Sequence, residues 1–428
     1  MATDKERVSE VLAKAKAARV AAFALAKCSA QERDSALLAL AQSLVDQQDY
    51  LLAENTKDVL AARAAGTAEP LIDRLLLNPE RIAAIAASLR ELAASPDPLG
   101  TVVEGHTLTS GIRMRQIRVP LGVVAMIYEA RPNVTADAAG LCLKTGNACI
   151  LRGGSLAVHS NLAMSAVIAA AGLDSGLPNN WLSSIESTDR AATNELMQLH
   201  GLIDVLIPRG SASLIRATVE NSKVPVIETG EGNCHLYVHS AARADLIVPI
   251  LLNAKTQRPG VCNAIESLLV DDAVAAEYLP QMLSALMDAG VLVHADESAL
   301  KLGQALDGAE QLLVLATDED WGREYLDLEI SVKCVSGLDE AIGHINRYST
   351  HHSESIISQD YTATHRFLAE VDSAAVYANA STRFTDGGEF GLGAEIGIST
   401  QKLHARGPMG LSALTSTKFI LEGDGQIR

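Results

Sequence analysis

The stretch GVVAMIYEARPNVTADAAGLCLKTGNACILRGGS, residues 122–155, contains the pattern that decides the fold. Two apolar runs, residues 122–128 and 148–151, have the length and composition of buried strands. Between them, residues 134–144 have the composition of a helix that stops at Gly146. A strand, a helix and a second strand in this order are typical of a parallel pair with a helical crossover. We therefore expect an α/β protein.

The same alternation continues towards the C-terminus. A helix is expected over residues 155–171 and another from Arg209-Gly210-Ser211 to Glu220, with strands at 202–207 and 224–227. A second α/β unit begins near Cys234, and its expected strands are residues 236–238, 267–270, 291–293 and 312–314. Strands that alternate with helices predict two doubly wound, mostly parallel sheets.

The two ends of the chain have a different character. Residues 5 to about 95 are expected to be helical, with a cap, a first-turn proline and a first-turn acid at Asn78, Pro79 and Glu80. Residues 112–119 alternate partly and carry arginines, which favours an edge strand or a subunit contact over a phosphate site. The C-terminal part is glycine-rich and ends in an expected strand at 417–421.

We predict three regions from these patterns. Residues 1–230 form N-terminal helices and a nucleotide-binding α/β domain, with a hairpin near 105–122 in a small β oligomerisation element. Residues 231–385 form a second α/β domain that carries Cys262. Residues 386–428 form a glycine-rich return segment and a C-terminal oligomerisation strand.

Composition excludes several classes of protein. The 428 residues carry a formal net charge of −17, which argues against a general nucleic-acid surface. Six cysteines without a CxxC pair indicate reduced thiols rather than a disulfide framework. Because the chain has no signal-peptide pattern and no uninterrupted apolar run of about 18 residues, we expect a soluble cytoplasmic protein without a membrane partner.

One cysteine is placed for chemistry. In TQRPGVCNA, residues 256–264, Cys262 lies on a Gly-Pro-shaped loop between a helix and the strand around 266–270. A thiolate is strongly nucleophilic, and a helix terminus or a nearby cation can lower the pKa of the thiol from about 8.5. Cys142 and Cys149 lie inside apolar runs instead, as buried thiols usually do.

Candidate ligand groups follow three strands of the first predicted sheet. They are Glu129 to Asn133, Arg152 to Ser155, and Arg209-Gly210-Ser211 before a helix. Ligands in open α/β sheets bind beyond the carboxyl ends of strands, and a helix N-terminus offers N–H groups to a phosphate. The three turns together predict a phosphate-bearing ligand, although no GxGxxG follows a strand.

Four stretches together resemble the aldehyde dehydrogenase superfamily over nearly the whole chain, and most closely its glutamate-5-semialdehyde dehydrogenase (γ-glutamyl phosphate reductase) branch. They are YEARPNVT (128–135), QRPGVCNA (257–264), EAIGHINRYSTHHSE (340–354), and STRFTDGG (381–388) running on to LHARGPMG (403–410). The resemblance implies an aldehyde-dehydrogenase-like α/β fold.

The resemblance also implies a reaction. NADPH would reduce L-γ-glutamyl 5-phosphate to L-glutamate 5-semialdehyde and phosphate, in proline biosynthesis from glutamate. Cys262 would be the nucleophile that forms a thioester, and Asn133 would donate to the oxyanion. The alternative within the superfamily is a hydrolytic, NAD(P)-dependent aldehyde dehydrogenase that oxidises a small aldehyde.

Glu228 marks the difference between these two reactions. It matches the glutamate that activates water in hydrolytic members, where water would waste an acyl phosphate. The following residues 229–232, Thr-Gly-Glu-Gly, depart from the hydrolytic Leu-Gly-Gly-Lys pattern. Glu228 either points away or handles protons on the thiol, and it stays a candidate catalytic residue.

The cofactor positions implied by the resemblance favour NADP(H). Arg152 stands where a lysine usually meets the adenosine ribose, and Ser155 replaces a glutamate that would repel a 2′-phosphate. The other cofactor-binding candidates are Ile127, Gly210, Ser211, Thr229 and Gly230. Glu324 and Glu329 both compete for the role of holding the nicotinamide ribose.

Arg383 and Arg406, each in a glycine-flanked turn, are candidates for the substrate carboxylate. His344, His351 and His352 have no standard zinc spacing, so we expect no metal. The expected partners are γ-glutamyl phosphate and phosphate, a glutamate 5-kinase that hands over the acyl phosphate, and further copies of the chain in a homodimer or homotetramer.

Two readings from other classes compete with the reductase. A cysteine hydrolase such as an amidase would need a histidine base near Cys262 and no redox cofactor, and the glycines at several strand ends argue against it. An inactive scaffold is the other, and the joint presence of Cys262 and Asn133 argues against that.

Overall fold

The computed structural model describes residues 9–129 and 131–428, without the side chain of Pro70. The first helices are α1 (Glu10–Leu25), α2 (Ala30–Asp46), α3 (Gln48–Ala64), α4 (Glu69–Leu75) and α5 (Pro79–Ala94). The predicted cap at Asn78 is confirmed, because its side chain accepts a hydrogen bond of 2.7 Å from the Arg81 N–H. The predicted helix start at residue 5 lies outside the described residues.

A parallel sheet follows the N-terminal helices. Its elements and the hairpin before it are β1 (Val102–Thr107), β2 (Arg113–Pro120), β3 (Val123–Tyr128), α6 (Asn133–Lys144), β4 (Ala148–Gly153), α7 (Val158–Asp174), β5 (Leu182–Ser184), α8 (Arg190–Gln198), β6 (Val205–Arg209) and α9 (Ala212–Asn221). Within the described chain, four strands pair in the order β5-β4-β3-β6, all parallel. The apolar run that decided the prediction is β3, and every one of its residues is buried.

The prediction of a strand at 224–227 is wrong. The segment makes an isolated bridge between Val226 and Leu206, with Ile227 donating to the Leu206 carbonyl at 3.0 Å. Pro225 has no N–H to donate, so the segment cannot form a regular ladder on both sides.

A larger parallel sheet occupies the second half of the chain. Its elements are β7 (Cys234–Val238), α10 (Ala244–Thr256), β8 (Ile265–Asp271), α11 (Asp272–Asp288), β9 (Leu292–Ala295), α12 (Glu297–Gly303), α13 (Ala309–Leu312), β10 (Leu313–Leu315), β11 (Glu329–Val335), α14 (Leu338–Tyr348), β12 (Ser353–Ile357), α15 (Tyr361–Glu370) and β13 (Ala375–Ala378). Across the described ranges, seven strands pair in the order β10-β9-β11-β8-β7-β12-β13. The side chains of α10 and α11 pack on one face of this sheet in an apolar core.

The C-terminal part contains β14 (Ile398–Ser399), β15 (Gly407–Pro408) and β16 (Thr415–Glu422). Antiparallel pairing joins β14 to β15, and β16 to β2, with Thr415 opposite Pro120 and Glu422 opposite Arg113. The predicted hairpin is present as β1 and β2, so that β1, β2 and β16 form a small antiparallel sheet. The Arg115 side chain pairs with Glu422 at 3.1 Å across this sheet.

The chain divides into two compact units. The first comprises the described residues up to Thr229, with Gly391–Gly397 and Met409–Arg428, and the second comprises Gly230–Phe390 and Ile398–Pro408. The glycine-rich segment is therefore shared between the units.

One helical segment, Ser155–Asp174, is long and apolar enough to cross a membrane by length and composition alone. Half of it is buried inside the protein, as in the core helix of a globular domain.

Candidate active site

Cys262 lies in the loop of residues 257–264 between α10 and β8, and its side chain is half-buried. The loop precedes β8, so the thiol lies at the amino end of that strand. The backbone of Gly232 approaches Cys262 so closely that a Cβ added to Gly232 would stand 1.5 Å from the Cys262 carbonyl oxygen. Only glycine permits this approach, which confines the nucleophile loop on one side.

A second thiol lies beneath the loop. The Cys234 Sγ–H donates to the Cys262 carbonyl oxygen at 3.1 Å, and the Nδ1 atom of His352 lies 3.7 Å from the same sulfur. Burial raises the pKa of the Cys234 thiol well above its usual range. Cys234 therefore stays a neutral thiol that supports the loop, and the half-buried Cys262 is the one positioned to react.

Asn263 ties the loop to the segment after β13. Its side-chain amide donates to the Thr385 carbonyl at 2.9 Å, and the Thr382 hydroxyl donates to the Asn263 carbonyl at 2.7 Å. The Arg383 guanidinium donates to Asn263 Oδ1, and its Nε donates to Gln257 Oε1 at 3.0 Å. One of the two predicted substrate arginines is therefore part of the Cys262 loop region.

Neighbouring charges change the pKa of Arg383. Burial lowers the pKa of its guanidinium and the positive charge of Arg258 lowers it further. The Asp386 carboxylate opposes both effects, and so does a Cys262 thiolate. Arg258 is exposed on the Cys262 loop and had no predicted role. Two arginines are thus associated with the Cys262 loop in a protein of strongly negative net charge.

Arg406 has a different setting. Its guanidinium pairs with Asp372 Oδ1 at 2.9 Å and donates to the Asp372 carbonyl at 3.0 Å. Lys402 pairs with the same carboxylate at 2.6 Å. Both cations lower the pKa of Asp372 below its usual range. Binding of a substrate carboxylate at Arg406 stays a prediction, and it would have to compete with this pairing.

Glu324 and Glu329, the two candidates for holding the nicotinamide ribose, have different surroundings. Glu324 accepts a hydrogen bond of 2.6 Å from the Gly232 N–H, and Gly232 packs directly on Cys262. Burial raises the pKa of Glu324. Glu329 instead pairs with His294, with 3.0 Å between its Oε2 and the Nε2 of the imidazole. Of these two glutamates, Glu324 is the one linked to the Cys262 loop.

Of the histidines in the motif at 340–354, His352 is linked to this loop through Cys234. Burial lowers the pKa of His352 to about 4, and burial together with the charge of His235 lowers that of His344 to about 3. Both rings are therefore neutral at pH 7. His235 packs edge-on against His344 and pairs with the buried Glu354 at 3.0 Å. His351 adopts a positive φ of 61° just before β12.

In the first unit, Asn133 is the first residue of α6 and its side chain is exposed. Its amide Nδ2 donates to Asp137 Oδ2 at 3.0 Å, one helical turn further on. Burial raises the pKa of Asp137 to about 6, against the opposing effects of this hydrogen bond and of Arg209. An amide nitrogen has two hydrogens, so one remains to meet a ligand while Asp137 orients the group.

Predicted cofactor residues lie at the carboxyl end of β4. Arg152, half-buried, donates to the Thr188 carbonyl, and burial lowers its pKa. Ser155 is exposed at the start of the short helical turn that precedes α7. Ile127 is completely buried within β3, so its side chain offers no surface to a ligand.

A carboxylate already occupies the N-terminus of α9. Glu129 accepts hydrogen bonds from the Ser211 N–H at 3.0 Å and the Ser211 hydroxyl at 2.9 Å. A Cβ added to Gly210 would lie 2.6 Å from the Glu129 carboxyl carbon. The helix N-terminus is thus able to hold an anion, and a pyrophosphate bound there would have to displace Glu129.

The remaining candidates lie where the chain passes from the first unit to the second. Glu228 is half-buried, and the buried Thr229 donates its hydroxyl hydrogen to the Pro208 carbonyl at 2.7 Å. Gly230 donates its N–H to the Ile398 carbonyl at 2.8 Å. A Cβ on Gly230 would lie 2.2 Å from Thr400 Cγ2, so a larger residue would disturb this packing.

Sequence reasoning missed four residues at these sites: Gly232, Cys234, Arg258 and Asp137. Asp137 follows Asn133 by four residues in a predicted helix, a spacing that places both side chains on one face. Arg258 stands inside the quoted cysteine motif. The contacts of Gly232 and Cys234 depend on the approach of two segments about 30 residues apart, which no local pattern contains.

Comparisons with known proteins match this geometry to one family. The model of the aldehyde dehydrogenase family matches residues 1–313. The γ-glutamyl phosphate reductase of Moorella thermoacetica is 53% identical over 419 residues, covering 98% of this chain and 99% of that protein. The protein of that name from Caldanaerobacter subterraneus is 51% identical, with coverages of 98% and 100%. The crystal structure of γ-glutamyl phosphate reductase from Thermotoga maritima superimposes with a TM-score of 0.95 at 44% identity, covering 98% of this chain and all of that one.

Proposed function

The chain belongs to the aldehyde dehydrogenase family, and from this premise we propose that it reduces L-γ-glutamyl 5-phosphate to L-glutamate 5-semialdehyde and phosphate. NADPH is the hydride donor and Cys262 is the nucleophile. The reaction is a step from glutamate to proline.

One observation carries most of the proposal. Relatives named γ-glutamyl phosphate reductase are 51 to 53% identical to the chain over nearly its whole length. The arrangement around Cys262 supports it, because the half-buried thiol lies on a loop to which the Arg383 guanidinium is hydrogen-bonded and which carries Arg258. An acyl phosphate is an anionic substrate that already carries a good leaving group, so its attack by a thiolate needs no acid to expel an amine.

Cys262, Asn133 and Asp137 have different roles in the proposed reaction. The Cys262 thiolate attacks the acyl carbon, the carbon–oxygen bond to phosphate breaks, and a thioester remains on the sulfur. Asn133 donates its amide hydrogen to the oxyanion that forms during attack, and Asp137 holds that amide in place. Hydride transfer to the thioester carbon and return of the sulfur's electron pair then release the aldehyde.

The chain's residues fit NADPH better than NADH. Arg152 offers a cation at the end of β4, and the exposed Ser155 brings no carboxylate that would repel a 2′-phosphate. Gly210 and Ser211 offer a helix N-terminus to the pyrophosphate, which would replace the Glu129 carboxylate there. Thr229 and Gly230 complete the proposed binding surface, to which the buried Ile127 contributes only its backbone. NADPH, when bound, supplies the hydride.

Glu324 is our choice for the residue that holds the nicotinamide ribose, because its carboxylate is tied to Gly232 beside Cys262. Glu228 handles the proton of the Cys262 thiol rather than activating water, since hydrolysis of the thioester would waste the substrate. Arg383 is the stronger candidate for an anionic group of the substrate, because Arg406 is already paired with Asp372.

We also infer the setting of the enzyme. The enzyme acts in the cytoplasm, where NADPH is available and thiols stay reduced. The sheet of β1, β2 and β16 joins copies of the chain into a dimer or tetramer. A glutamate 5-kinase delivers the labile acyl phosphate.

The test uses the oxidative direction, because glutamate 5-semialdehyde is easier to handle than the acyl phosphate. NADPH formation from the semialdehyde and NADP⁺ is followed with and without inorganic phosphate, for the wild type and Cys262→Ala. Turnover that requires phosphate and is lost in the variant supports the proposal. Turnover that is indifferent to phosphate means that water is the acceptor, and it would make Glu228 a general base of an ordinary aldehyde oxidiser.

A further inference from the structure

Arg258 is a cation on the nucleophile's own loop. It lies four residues before Cys262 and is exposed. Through the described ranges, residues 9–129 and 131–428, no hydrogen bond or ion pair joins its side chain to another residue. An exposed arginine can be merely solvated, so its significance depends on what it faces.

A second guanidinium, that of Arg383, is hydrogen-bonded to the same loop and lies within electrostatic range of Arg258. Arg383 is half-buried and is fixed by its hydrogen bonds to Asn263 and to Gln257, both of which belong to the Cys262 loop. The charge of Arg258 acts on Arg383 strongly enough to lower its pKa, and the Cys262 thiolate acts on it in the opposite direction. The two cations and the nucleophile are therefore within electrostatic range of one another.

Two like charges in one place repel each other, and partial burial strengthens the repulsion. An anion between them converts the repulsion into attraction, and guanidinium groups match phosphate oxygens with paired hydrogen bonds. The side chains of Gln257 and Asn263, which accept from Arg383, are neutral amides. The Asp386 carboxylate acts on Arg383 from a distance and offsets part of the repulsion, and an anion bound between the two guanidinium groups would offset the rest.

We propose that Arg258 and Arg383 bind the phosphoryl group of the acyl phosphate while Cys262 attacks, and bind inorganic phosphate in the reverse direction. This assignment rests on the proposed function. Phosphorus is one oxygen atom away from the attacked carbon, whereas the α-carboxylate lies at the other end of the five-carbon chain. Arg258 belongs to the Cys262 loop and Arg383 is hydrogen-bonded to it. The two arginines are therefore better placed to bind the phosphoryl group than the α-carboxylate.

The pair acts on the bond that breaks. As the sulfur–carbon bond forms, the electron pair of the carbon–oxygen bond moves onto the phosphate oxygen, and the two guanidinium groups stabilise that growing negative charge. In the reverse direction a phosphate oxygen attacks the thioester carbon and the thiolate leaves with its electron pair.

The experiment measures KM for phosphate and KM for glutamate 5-semialdehyde separately in the oxidative direction. The variants are Arg258→Gln, Arg258→Lys and Arg383→Gln. Arg243→Gln is the matched control, because Arg243 is an exposed arginine next to α10 that pairs with Asp245. Circular dichroism and thermal melting confirm that each variant folds, and Arg258→Gln is the main variant because Arg383 also supports the loop.

Arg258→Gln should raise KM for phosphate at least tenfold and leave KM for the semialdehyde within about twofold, with partial recovery in Arg258→Lys. A rise in KM for the semialdehyde alone would overturn the assignment and place the α-carboxylate at this pair. Unchanged constants in Arg258→Gln and Arg383→Gln would also overturn it.

A second readout does not depend on turnover. Inorganic phosphate should slow the alkylation of Cys262 by iodoacetamide in the wild type and in Arg243→Gln, but not in Arg258→Gln. If wild-type turnover did not require phosphate, the proposed function would fail, and this protection would still decide whether the pair binds a phosphoryl anion. Equal protection in the wild type and Arg258→Gln would refute the site.

Discussion

Asn133 depends on one neighbour for its orientation. Its amide is exposed and is held by the Asp137 carboxylate at 3.0 Å, within the first two turns of α6. A carboxylate is a stronger acceptor than the neutral acid, so the protonation state of Asp137 controls how firmly the amide is held. The raised pKa of Asp137, about 6, brings that control close to neutral pH.

Asp137→Asn should lower kcat on the order of tenfold. This is less than the effect of removing an oxyanion donor altogether, because Asn133 is still present but is held less firmly. In the wild type, kcat should fall as the pH drops through about 6, because protonation weakens the acceptor. That acidic limb should be absent in Asp137→Asn and retained in Asp174→Asn, a change at an exposed carboxylate at the end of α7. A limb of equal depth in all three proteins would mean that Asp137 does not orient Asn133.

Gly232 is the residue on which the nucleophile loop depends sterically. A Cβ at this position overlaps the Cys262 carbonyl group, which is backbone and cannot rotate away. Gly232→Ala should therefore displace the loop and lower kcat by at least 100-fold, since small misplacements of reacting groups are costly.

Gly343→Ala is the matched control for this change. Gly343 lies inside α14 with no atom within 4 Å of an added Cβ, so the substitution should stabilise the protein by roughly 0.4–1 kcal/mol. Steady-state kinetics and thermal melting measure both effects. A Gly232→Ala enzyme with wild-type kcat would show that the close approach has no role in catalysis.

Among the secondary-structure elements of the second unit, helix α14 and the residue before strand β12 contribute two buried histidines. His352 immediately precedes β12 and His344 lies on the buried face of α14. Their depressed pKa values, about 4 and about 3, mean that the folded protein keeps both rings neutral where the unfolded chain would protonate them.

The free energy of unfolding should fall as the pH drops below about 6.5, because the unfolded chain then binds more protons than the folded one. Each histidine contributes up to about 1.4 kcal/mol per pH unit between about 6.5 and its folded pKa. His344→Phe should reduce this slope when unfolding in urea is followed from pH 7 to 4.5. His159→Gln, a change at an exposed ring, should not reduce it, and equal slopes in the two variants would contradict the account.

Composition alone indicates some of the buried strands and does not indicate β12. β3, β4, β7 and β8 are nearly continuous apolar runs, so composition alone indicates burial. β12 is equally buried but begins Ser353-Glu354-Ser355, which is polar. Its burial is possible because His235, on the adjacent strand β7, donates to Glu354 from its backbone N–H at 2.6 Å and also pairs with it through its ring.

At the scale of the whole molecule, the chain has two units, each with a parallel sheet and part of the proposed chemistry. Cys262 could be chosen from its own motif, and Arg152, Gly210 and Ser211 from turns at strand ends. Arg258 lies inside the cysteine motif, but its proposed role in phosphate binding depends on Arg383. Arg383 is distant in sequence and is hydrogen-bonded to the same loop. Pairings of this kind come from tertiary structure, and a single sequence does not contain them.

The proposed reaction requires that phosphate, and not water, resolves the Cys262 thioester. The most direct measurement mixes the enzyme with glutamate 5-semialdehyde and NADP⁺ in a stopped-flow instrument, without phosphate, and follows NADPH. We predict a burst of about one NADPH per Cys262 that then stalls, followed by steady turnover when phosphate is added. Continuous turnover without phosphate, or a burst of the same size in Cys262→Ala, would contradict the account.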